Sequence, residues 1–233
     1  MAAMPSAASG DRKSMRWVTF DCFGTLVDWN SGFAAILRPL VGDRTPRVMD
    51  TYHQFERLLE QETPHRLYKD VLATGLRRAA EDVGIPLSES QARTLPQRWG
   101  TMSVFGDVEP MLAALRADGH RLAILTNCDE DLFGETQRSF RAPFDLVVTA
   151  ERVRDYKPSP THFHHFRRAS GARLGEWVHV ANSWFHDITP ARELGIPRVW
   201  LDRDDTGQDP ADACARVRSA ADVPDAVRRL FRP

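Results

Sequence analysis

The chain has 233 residues, of which 42% are hydrophobic, and its 31 basic and 32 acidic side chains leave a formal net charge of -1. This length and composition suit one large domain, or a domain with a sizeable insertion, that can bury its own core. The balanced charge argues against nucleic acid and against an anionic membrane surface as partners. We therefore expect a small-molecule partner.

The N-terminus and the cysteines bear on location. Residues 1–14 are small and polar without the apolar run of a secretory signal, and no later segment is long enough to span a membrane. We expect these residues to form a flexible tail. Three irregularly spaced cysteines suit neither a disulfide framework nor a zinc site, so we predict a cytoplasmic protein and leave a homodimer open.

Short apolar runs alternate with amphipathic segments along the chain. Runs rich in Val, Ile, Leu and aromatic residues predict strands buried on both faces: RWVTFDC, RLAILTNC, FDLVVTA, WVHVANS and PRVWLDR. Helical spacing, in several cases closed by Gly, predicts helices at VEPMLAALRADG, DLFGETQRSF, PTHFHHFRRASG and DITPARELG. The alternation predicts an α/β fold whose parallel sheet has right-handed crossovers and helices on both faces.

The alternation is interrupted after the first strand. Residues 30–105 show no strand pattern, but TYHQFERLLEQ and LYKDVLATGLRRAAEDVG have apolar positions at helical spacing. This pattern predicts an inserted helical unit. Its position in the chain places it over the carboxyl ends of the strands, where open α/β sheets bind ligands.

Polar residues follow four successive predicted strands and are expected to meet in one crevice. They are Asp21; Thr126 and Asn127; Lys157; and Asn182, Ser183 and Asp187. A carboxylate is a good nucleophile only if it is ionised and oriented, and a nearby ammonium group lowers its pKa and holds it. We therefore interpret Asp21 as a nucleophile and Lys157 as its partner.

Each of these residues also has an ordinary interpretation. An Asp after a strand is commonly a turn residue, a Lys before Pro is usually solvated, and Asp187 could cap the following helix. Only the joint placement of these side chains at four strand ends favours a catalytic site.

Four stretches resemble, in order, the four motifs of the haloacid dehalogenase superfamily: DCFGTLVD, LTNCD, DYKPSP and HVANSWFHDITPARELGIPRVW. The resemblance implies a Rossmann-like core formed by residues 15–29 and 106–233, with a helical cap formed by residues 30–105. It also implies that the protein is a hydrolase.

The same resemblance implies roles for individual residues. Asp21 would be the nucleophile, Thr25 and Thr126 would hydrogen-bond it or the substrate, and Lys157 would orient it. Asp187 would be the carboxylate of the fourth motif.

Phe23 resembles the aromatic residue that 2-haloacid dehalogenases have two positions after the nucleophile. Most phosphatases of the superfamily have an Asp there, which protonates the leaving oxygen, whereas a halide is a weak base and needs no acid. Asn182 stands where many phosphatases have a magnesium-binding Asp, which leaves Asp21 and Asp187 as the anionic ligands for any metal. We therefore expect no cofactor, with magnesium remaining open only for a phosphatase.

The dehalogenase resemblance implies a mechanism. Asp21 would displace the halogen with inversion and form an ester, which a water activated near Asp187 would hydrolyse. Thr126 and nearby amides would hold the substrate carboxylate, and Asn127 would help to receive the halide. The predicted substrate site also includes Phe23, Asn182 and Ser183.

The sequence departs from these dehalogenases in the cap and in the fourth motif. They have a Trp-Arg pair early in the cap, where this chain has Tyr52-His53. Arg is always charged but His is not, so another cation is needed. His53 and Arg57 share a helix face, and we predict that one of them faces the site. Arg66 is a further candidate, and His186, next to Asp187, is either structural or assists proton transfer.

Two other functions remain open. One is a phosphatase of the same superfamily that acts on a small phosphate ester, and the other is a non-catalytic relative that binds a metabolite. The intact Asp21, Lys157 and Asp187 argue against the second. The favoured function is hydrolytic dehalogenation of a small 2-haloacid.

Overall fold

The structure is a computed structural model that describes residues 15–232, so the predicted tail, residues 1–14, lies outside the described range. Six strands occur in this range: β1 (Trp17–Phe20), β2 (Arg121–Thr126), β3 (Leu146–Thr149), β4 (Trp177–Ala181), β5 (Arg198–Leu201) and β6 (Ala215–Val217). They form one parallel sheet in the order β3-β2-β1-β4-β5-β6. The sheet is doubly wound, because the strand order runs one way from β1 to β3 and the other way from β4 to β6, with the switch between β1 and β4. This topology confirms the predicted fold class.

Alternate residues of the central strands pack into different hydrophobic clusters. Val18 and Phe20 of β1 join the main core, whereas Trp17 belongs to a second cluster with Phe163 and Phe166. Because successive strand side chains point to opposite faces, the sheet is buried on both sides. This explains the continuous apolar runs in the sequence.

Six helices accompany the strands of the core: α6 (Val108–Ala117), α7 (Glu130–Gln137), α8 (Ala150–Val153), α9 (Thr161–Ser170), α10 (Thr189–Glu193) and α11 (Val223–Leu230). The predicted helices at α6, α7, α9 and α10 are present. The sequence analysis did not predict β6 or α11. Within residues 15–232, no helix combines the length and apolar composition that crossing a bilayer requires.

Five helices lie between β1 and α6: α1 (Trp29–Val41), α2 (Thr45–Glu60), α3 (Tyr68–Asp82), α4 (Glu89–Ala92) and α5 (Thr94–Gln97). We call residues 29–101 the helical insertion. Helix α2 begins at Thr45, six residues before the start of the predicted helical pattern at Thr51. It has a proline in its first turn. Helices α2 and α3 pack closely, since a Cβ at Gly75 would lie 2.9 Å from the Tyr52 ring.

The two chain segments that connect the helical insertion to the sheet run side by side. The backbone N–H of Asp28 donates to Ser103 O at 2.8 Å, and that of Phe105 donates to Leu26 O at 3.0 Å. Asp28 also caps α1 by accepting the Ser31 N–H. The helical insertion therefore leaves and rejoins the core at one place, close to Asp21.

Candidate active site

Asp21 follows β1 directly and is held by a tight turn. Its Oδ2 accepts the hydroxyl of Thr25 at 2.8 Å, and its Oδ1 accepts the ammonium of Lys157 at 3.0 Å. Gly24 makes this turn with φ +87°, in the left-handed region that favours glycine. The turn brings Thr25 back beneath the carboxylate, so both oxygens of Asp21 have a donor.

Lys157 is fully buried, and all three hydrogens of its ammonium group are donated in hydrogen bonds. Its Nζ donates to Asp21 Oδ1, to Asp187 Oδ1 at 2.7 Å and to the Leu125 carbonyl at 2.8 Å. The side-chain amide of Asn127 also binds the backbone of Lys157. It accepts the Lys157 N–H at 2.7 Å and donates to the Lys157 carbonyl at 3.0 Å. The loop after α8 thus fixes one ammonium between two carboxylates.

Asp187 is held from the sheet side by a buried hydrogen-bond chain. The Trp177 indole donates to Thr19 Oγ1 at 2.7 Å, Thr19 Oγ1 lies 2.8 Å from His179 Nδ1, and His179 Nε2 lies 3.0 Å from Asp187 Oδ1. With the Thr19 hydroxyl donating to Nδ1, His179 donates from Nε2 to the carboxylate. Sequence reasoning missed His179. A histidine in the otherwise apolar strand WVHVA indicates a buried polar group that needs hydrogen-bond partners.

The fourth motif adopts a different local structure from the one the sequence predicted. Residues Trp184–Ile188 form a π-helical turn before α10, and such turns are common at functional sites. Ser183 caps this turn by accepting the His186 N–H. Capping by Asp187 was the ordinary interpretation of that residue, and it is wrong, because its side chain binds Lys157 and His179 instead.

Burial and the lysine act in opposition on the two carboxylates. Burial raises the pKa of Asp21 above its ordinary value, and Lys157 only partly offsets this effect. Lys157 lowers this pKa as expected, but burial outweighs it. Burial also acts to raise the pKa of Asp187, but Lys157 and His179 outweigh it and bring that pKa to about 2. Despite its burial, Lys157 has a raised pKa because both aspartates stabilise its charge.

A cavity of about 540 Å³ opens above Asp21, between the strand ends and the helical insertion. Thr25 is fully buried behind Asp21. The other residues predicted for the site line the cavity wall: Asp21, Phe23, His53, Arg57, Thr126, Asn127, Lys157, Asn182, Ser183 and Asp187. The structure thus brings the sequence-predicted residues together around one space.

Several predicted substrate-binding groups are already bonded within the protein. The Asn182 amide donates to Asp204 at 2.7 Å and accepts the Arg203 N–H at 3.1 Å, and its backbone N–H donates to Thr25. Ser183 Oγ lies 3.0 Å from His186 Nδ1. These two residues therefore shape the cavity wall, with their polar groups already bonded to the protein.

The two cationic candidates of α2 differ in their surroundings. His53 Nδ1 lies 3.4 Å from a carboxylate oxygen of Glu56, and the His53 ring packs edge-on against Trp29. Arg57 lies over the Phe185 ring at 5.3 Å and forms no ion pair within residues 15–232. Arg57 is therefore the cation whose charge is available to a ligand.

Sequence reasoning missed two acidic residues of α2 that line the cavity. Glu56 accepts the hydroxyls of Tyr52 at 3.1 Å and Tyr68 at 2.7 Å, and Glu60 accepts the Asn127 amide at 3.3 Å. Tyr52, Glu56 and Glu60 are spaced four residues apart, which places them on one helix face. The four-residue spacing of Tyr52, Glu56 and Glu60 is visible in the sequence and indicates that the two glutamates share the helix face of the buried tyrosine.

The donor set does not fit a magnesium ion. Magnesium takes six oxygen ligands in near-octahedral geometry, but the Lys157 ammonium lies between Asp21 and Asp187, and Asn182 is bonded to Asp204. Across residues 15–232, no three His, Cys, Asp or Glu side chains are arranged to hold a metal. Phe23, packed on Trp99 with ring centroids 4.8 Å apart, supplies no acid beside Asp21.

The chain has clear relatives among known proteins. It is 25% identical over 211 residues to haloacetate dehalogenase H-2 of Moraxella sp. (strain B), an alignment that covers 85% of this chain and 92% of that protein. It is 31% identical over 109 residues to the N-acylneuraminate-9-phosphatase of Homo sapiens, across 44% of this chain and 42% of the phosphatase. The solved L-2-haloacid dehalogenase RSc1362 superposes with a TM-score of 0.82 at 25% identity, covering 92% of this chain and 99% of that one.

A family model described as haloacid dehalogenase-like hydrolase matches residues 15–195. This match covers well over half of the chain and both halves of the site, from Asp21 to Asp187. It confirms the resemblance that the four motifs indicated. The chain belongs to the haloacid dehalogenase-like hydrolase family.

Proposed function

We propose that the protein hydrolytically dehalogenates a small 2-haloacid through an ester on Asp21. The observation that carries the proposal is the Asp21 carboxylate, which is held by Thr25 and Lys157 and faces a cavity where Phe23 replaces a proton donor. The similarity to haloacetate dehalogenase H-2 and to the L-2-haloacid dehalogenase supports the same function.

The first step is a displacement at carbon. An Asp21 oxygen attacks the carbon that bears the halogen, a C–O bond forms, and the halide leaves with the electrons of the C–X bond. No acid is needed, because a halide is a weak base. Burial, which raises the pKa of Asp21, also strips water from the carboxylate and makes it a stronger nucleophile.

The second step is hydrolysis of the ester. A water adds to the Asp21 carbonyl carbon, the bond to the alkyl oxygen breaks, and a 2-hydroxy acid of inverted configuration leaves. Lys157, fixed between Asp21 and Asp187, stabilises the negative charge that develops on the Asp21 oxygens. Asp187 holds this lysine in place.

The substrate carboxylate requires a cation and hydrogen-bond donors. Thr126 lies at the end of β2 in the cavity wall, and Arg57 is the cation of α2 without an acidic partner among the described residues. We assign the carboxylate to these two residues, with Phe23 packing on the carbon chain. The lysine between Asp21 and Asp187 supports a reaction that needs no metal or cofactor.

A halide-release screen tests the proposal. The substrates are fluoro-, chloro- and bromoacetate and the two enantiomers of 2-chloropropionate, assayed in parallel with a panel of phosphate esters, each with and without magnesium. The proposal expects halide release from at least one haloacid and inverted product. Phosphate release that depends on magnesium would favour the phosphatase alternative, and no reaction with either panel would favour a metabolite-binding protein.

A further inference from the structure

Glu60, the last residue of α2, has a carboxylate oxygen without a hydrogen bond in the wall of the Asp21 cavity. Its side chain is only 8% exposed, and its Oε1 accepts the Asn127 amide. Its Oε2 accepts no hydrogen bond from the described residues and lies 3.8 Å from Nε2 of His186. An acceptor without a donor in the wall of a cavity indicates a place for a water or a ligand.

His186 presents a matching unused donor. Ser183 Oγ accepts the His186 backbone N–H at 3.1 Å and lies 3.0 Å from Nδ1, so its hydroxyl hydrogen is free to go to Nδ1. The ring hydrogen is then on Nε2, which is buried and has no hydrogen-bond partner within the described range. The 3.8 Å gap to Glu60 is too long for a direct bond. Because Nε2 is enclosed, a water in the cavity reaches Oε2 of Glu60 and not Nε2.

We propose that Glu60 is the general base of ester hydrolysis and that the attacking water is bound at its Oε2. This inference rests on the proposed dehalogenase function. The water oxygen bonds to the Asp21 carbonyl carbon while one water proton moves to Glu60. When the bond to the alkyl oxygen breaks, Glu60 gives that proton to the departing alkoxide, which leaves as the 2-hydroxy acid. Asp21 keeps the second proton of the water and loses it to solvent, which restores the carboxylate.

Asp187 is the other carboxylate that could accept the proton. Its Oδ1 already takes bonds from Lys157 and His179. Its Oδ2 has no hydrogen-bond partner among the described residues, but it is enclosed by protein and out of reach of a water in the cavity. Its pKa of about 2 also makes Asp187 a poor proton acceptor. For Glu60, burial raises the pKa above its ordinary value, although the contact with His186 opposes this. A proton is therefore held more favourably on Glu60 than on Asp187.

The titration of Glu60 depends on every charged group near it. Helix α2 contributes Glu56, Arg57 and Tyr52, and the other elements around it contribute Tyr68, Tyr156, Lys157, His186, and, lining a neighbouring cavity, His65 and Arg154. The ionised form of Glu60 is the base. The rate of ester hydrolysis should therefore fall as pH decreases through the raised pKa of Glu60.

Rapid-quench kinetics of Glu60→Gln separate the two chemical steps. Glutamine keeps an oxygen for Asn127 but cannot accept the proton of water, so the variant should release one halide per active site in a burst within about threefold of the wild-type rate. Steady-state turnover should fall by about 100-fold or more, the usual size of a general-base effect. Acid quenching should trap the ester on the peptide that contains Asp21. The rate of ester hydrolysis should no longer show the decrease at low pH that Glu60 gives the wild type.

Two further variants guard against a trivial loss of fold. Glu62→Gln removes a carboxylate two residues away that pairs with Arg66 on the surface, and it should behave as wild type. Glu60→Asp keeps the charge but withdraws it by one methylene, so its turnover should lie between those of wild type and Glu60→Gln.

The outcomes are distinct. Wild-type turnover in Glu60→Gln, or a burst slowed as much as turnover, would overturn the role of Glu60 while leaving dehalogenation intact. If the wild-type enzyme releases no halide from any haloacid, the proposed function fails and this inference falls with it.

Discussion

Asp129 of the core caps a helix of the insertion: its Oδ1 accepts the backbone N–H of Tyr68 at 2.8 Å. Its Oδ2 accepts the next N–H, that of Lys69, also at 2.8 Å. Helix α3 has no capping side chain of its own, so the residue at the end of the LTNCD stretch supplies the cap from another part of the fold. One carboxylate thereby fixes the helical insertion over the strand ends.

We predict that Asp129→Ala lowers the free energy of unfolding by about 2 kcal/mol, at the upper end of values for a lost helix cap. Hydrogen exchange in the first turn of α3 should accelerate as well. The matched control is Asp131→Ala, which removes the surface ion pair with Lys69 and a local hydrogen bond from the Leu132 N–H and should change stability by less than about 1 kcal/mol. Equal effects of the two substitutions in urea denaturation would contradict the capping role.

The nucleophile can be tested by isotope labelling. Because hydrolysis at the ester carbonyl puts a water oxygen into the carboxylate, turnover in oxygen-18 water should label Asp21. Asp21→Asn should abolish turnover while leaving the circular dichroism spectrum unchanged. An active enzyme whose Asp21 peptide stays unlabelled by mass spectrometry would rule out the ester mechanism.

The sheet and the residues at its strand ends were predictable because both depend on local patterns. Buried parallel strands appear as apolar runs, and the doubly wound topology sends Asp21, Lys157 and Asp187 to the same edge. The sequence therefore placed the lysine near the two carboxylates. It did not give the balance between burial and charge, which raises the pKa of Asp21 and lowers that of Asp187.

The missed features depend on tertiary contacts. A three-residue strand such as β6 is defined by its pairing with β5, not by its own composition. In the sequence alone, Glu56 and Glu60 have the pattern of solvent-exposed residues on an amphipathic helix. They are buried only because α2 packs over the strand ends. The His179 chain likewise needs β1 and β4 side by side.

Arg57 is predicted to bind the substrate carboxylate. Replacing it with Ala should raise the Michaelis constant for a haloacid by about tenfold or more, a loss of about 1.4 kcal/mol of binding. His53→Ala should have a smaller effect, because the contact of His53 with Glu56 offsets any positive charge on its ring. Steady-state kinetics of both variants check this order, and a larger effect at His53 would assign the carboxylate to that residue instead.

Activity on the true substrate should persist in EDTA. The Lys157 ammonium already neutralises Asp21 and Asp187, so a divalent cation has no set of free oxygen ligands to occupy. Halide release after dialysis against EDTA, compared with release in added magnesium, measures this directly. A strict requirement for magnesium would contradict this prediction and favour the phosphatase alternative.

The last prediction concerns the buried cluster of Lys157, Asp21 and Asp187. Removing one partner of a buried ion pair leaves an uncompensated charge, so Lys157→Met should destabilise the fold by about 3 to 5 kcal/mol. The double variant Lys157→Met, Asp187→Asn should recover part of that loss, since only one carboxylate then lacks its cation.

In Lys157→Met, burial raises both carboxyl pKa values with no ammonium to oppose it, so the folded state binds protons more tightly than the unfolded state. Stability should therefore rise as pH falls from 7 to 5, more steeply than in the wild type, where Asp187 keeps a pKa of about 2. Urea unfolding of the three proteins at several pH values measures the effect, and parallel pH profiles would show that the cluster does not carry the charges assigned to it.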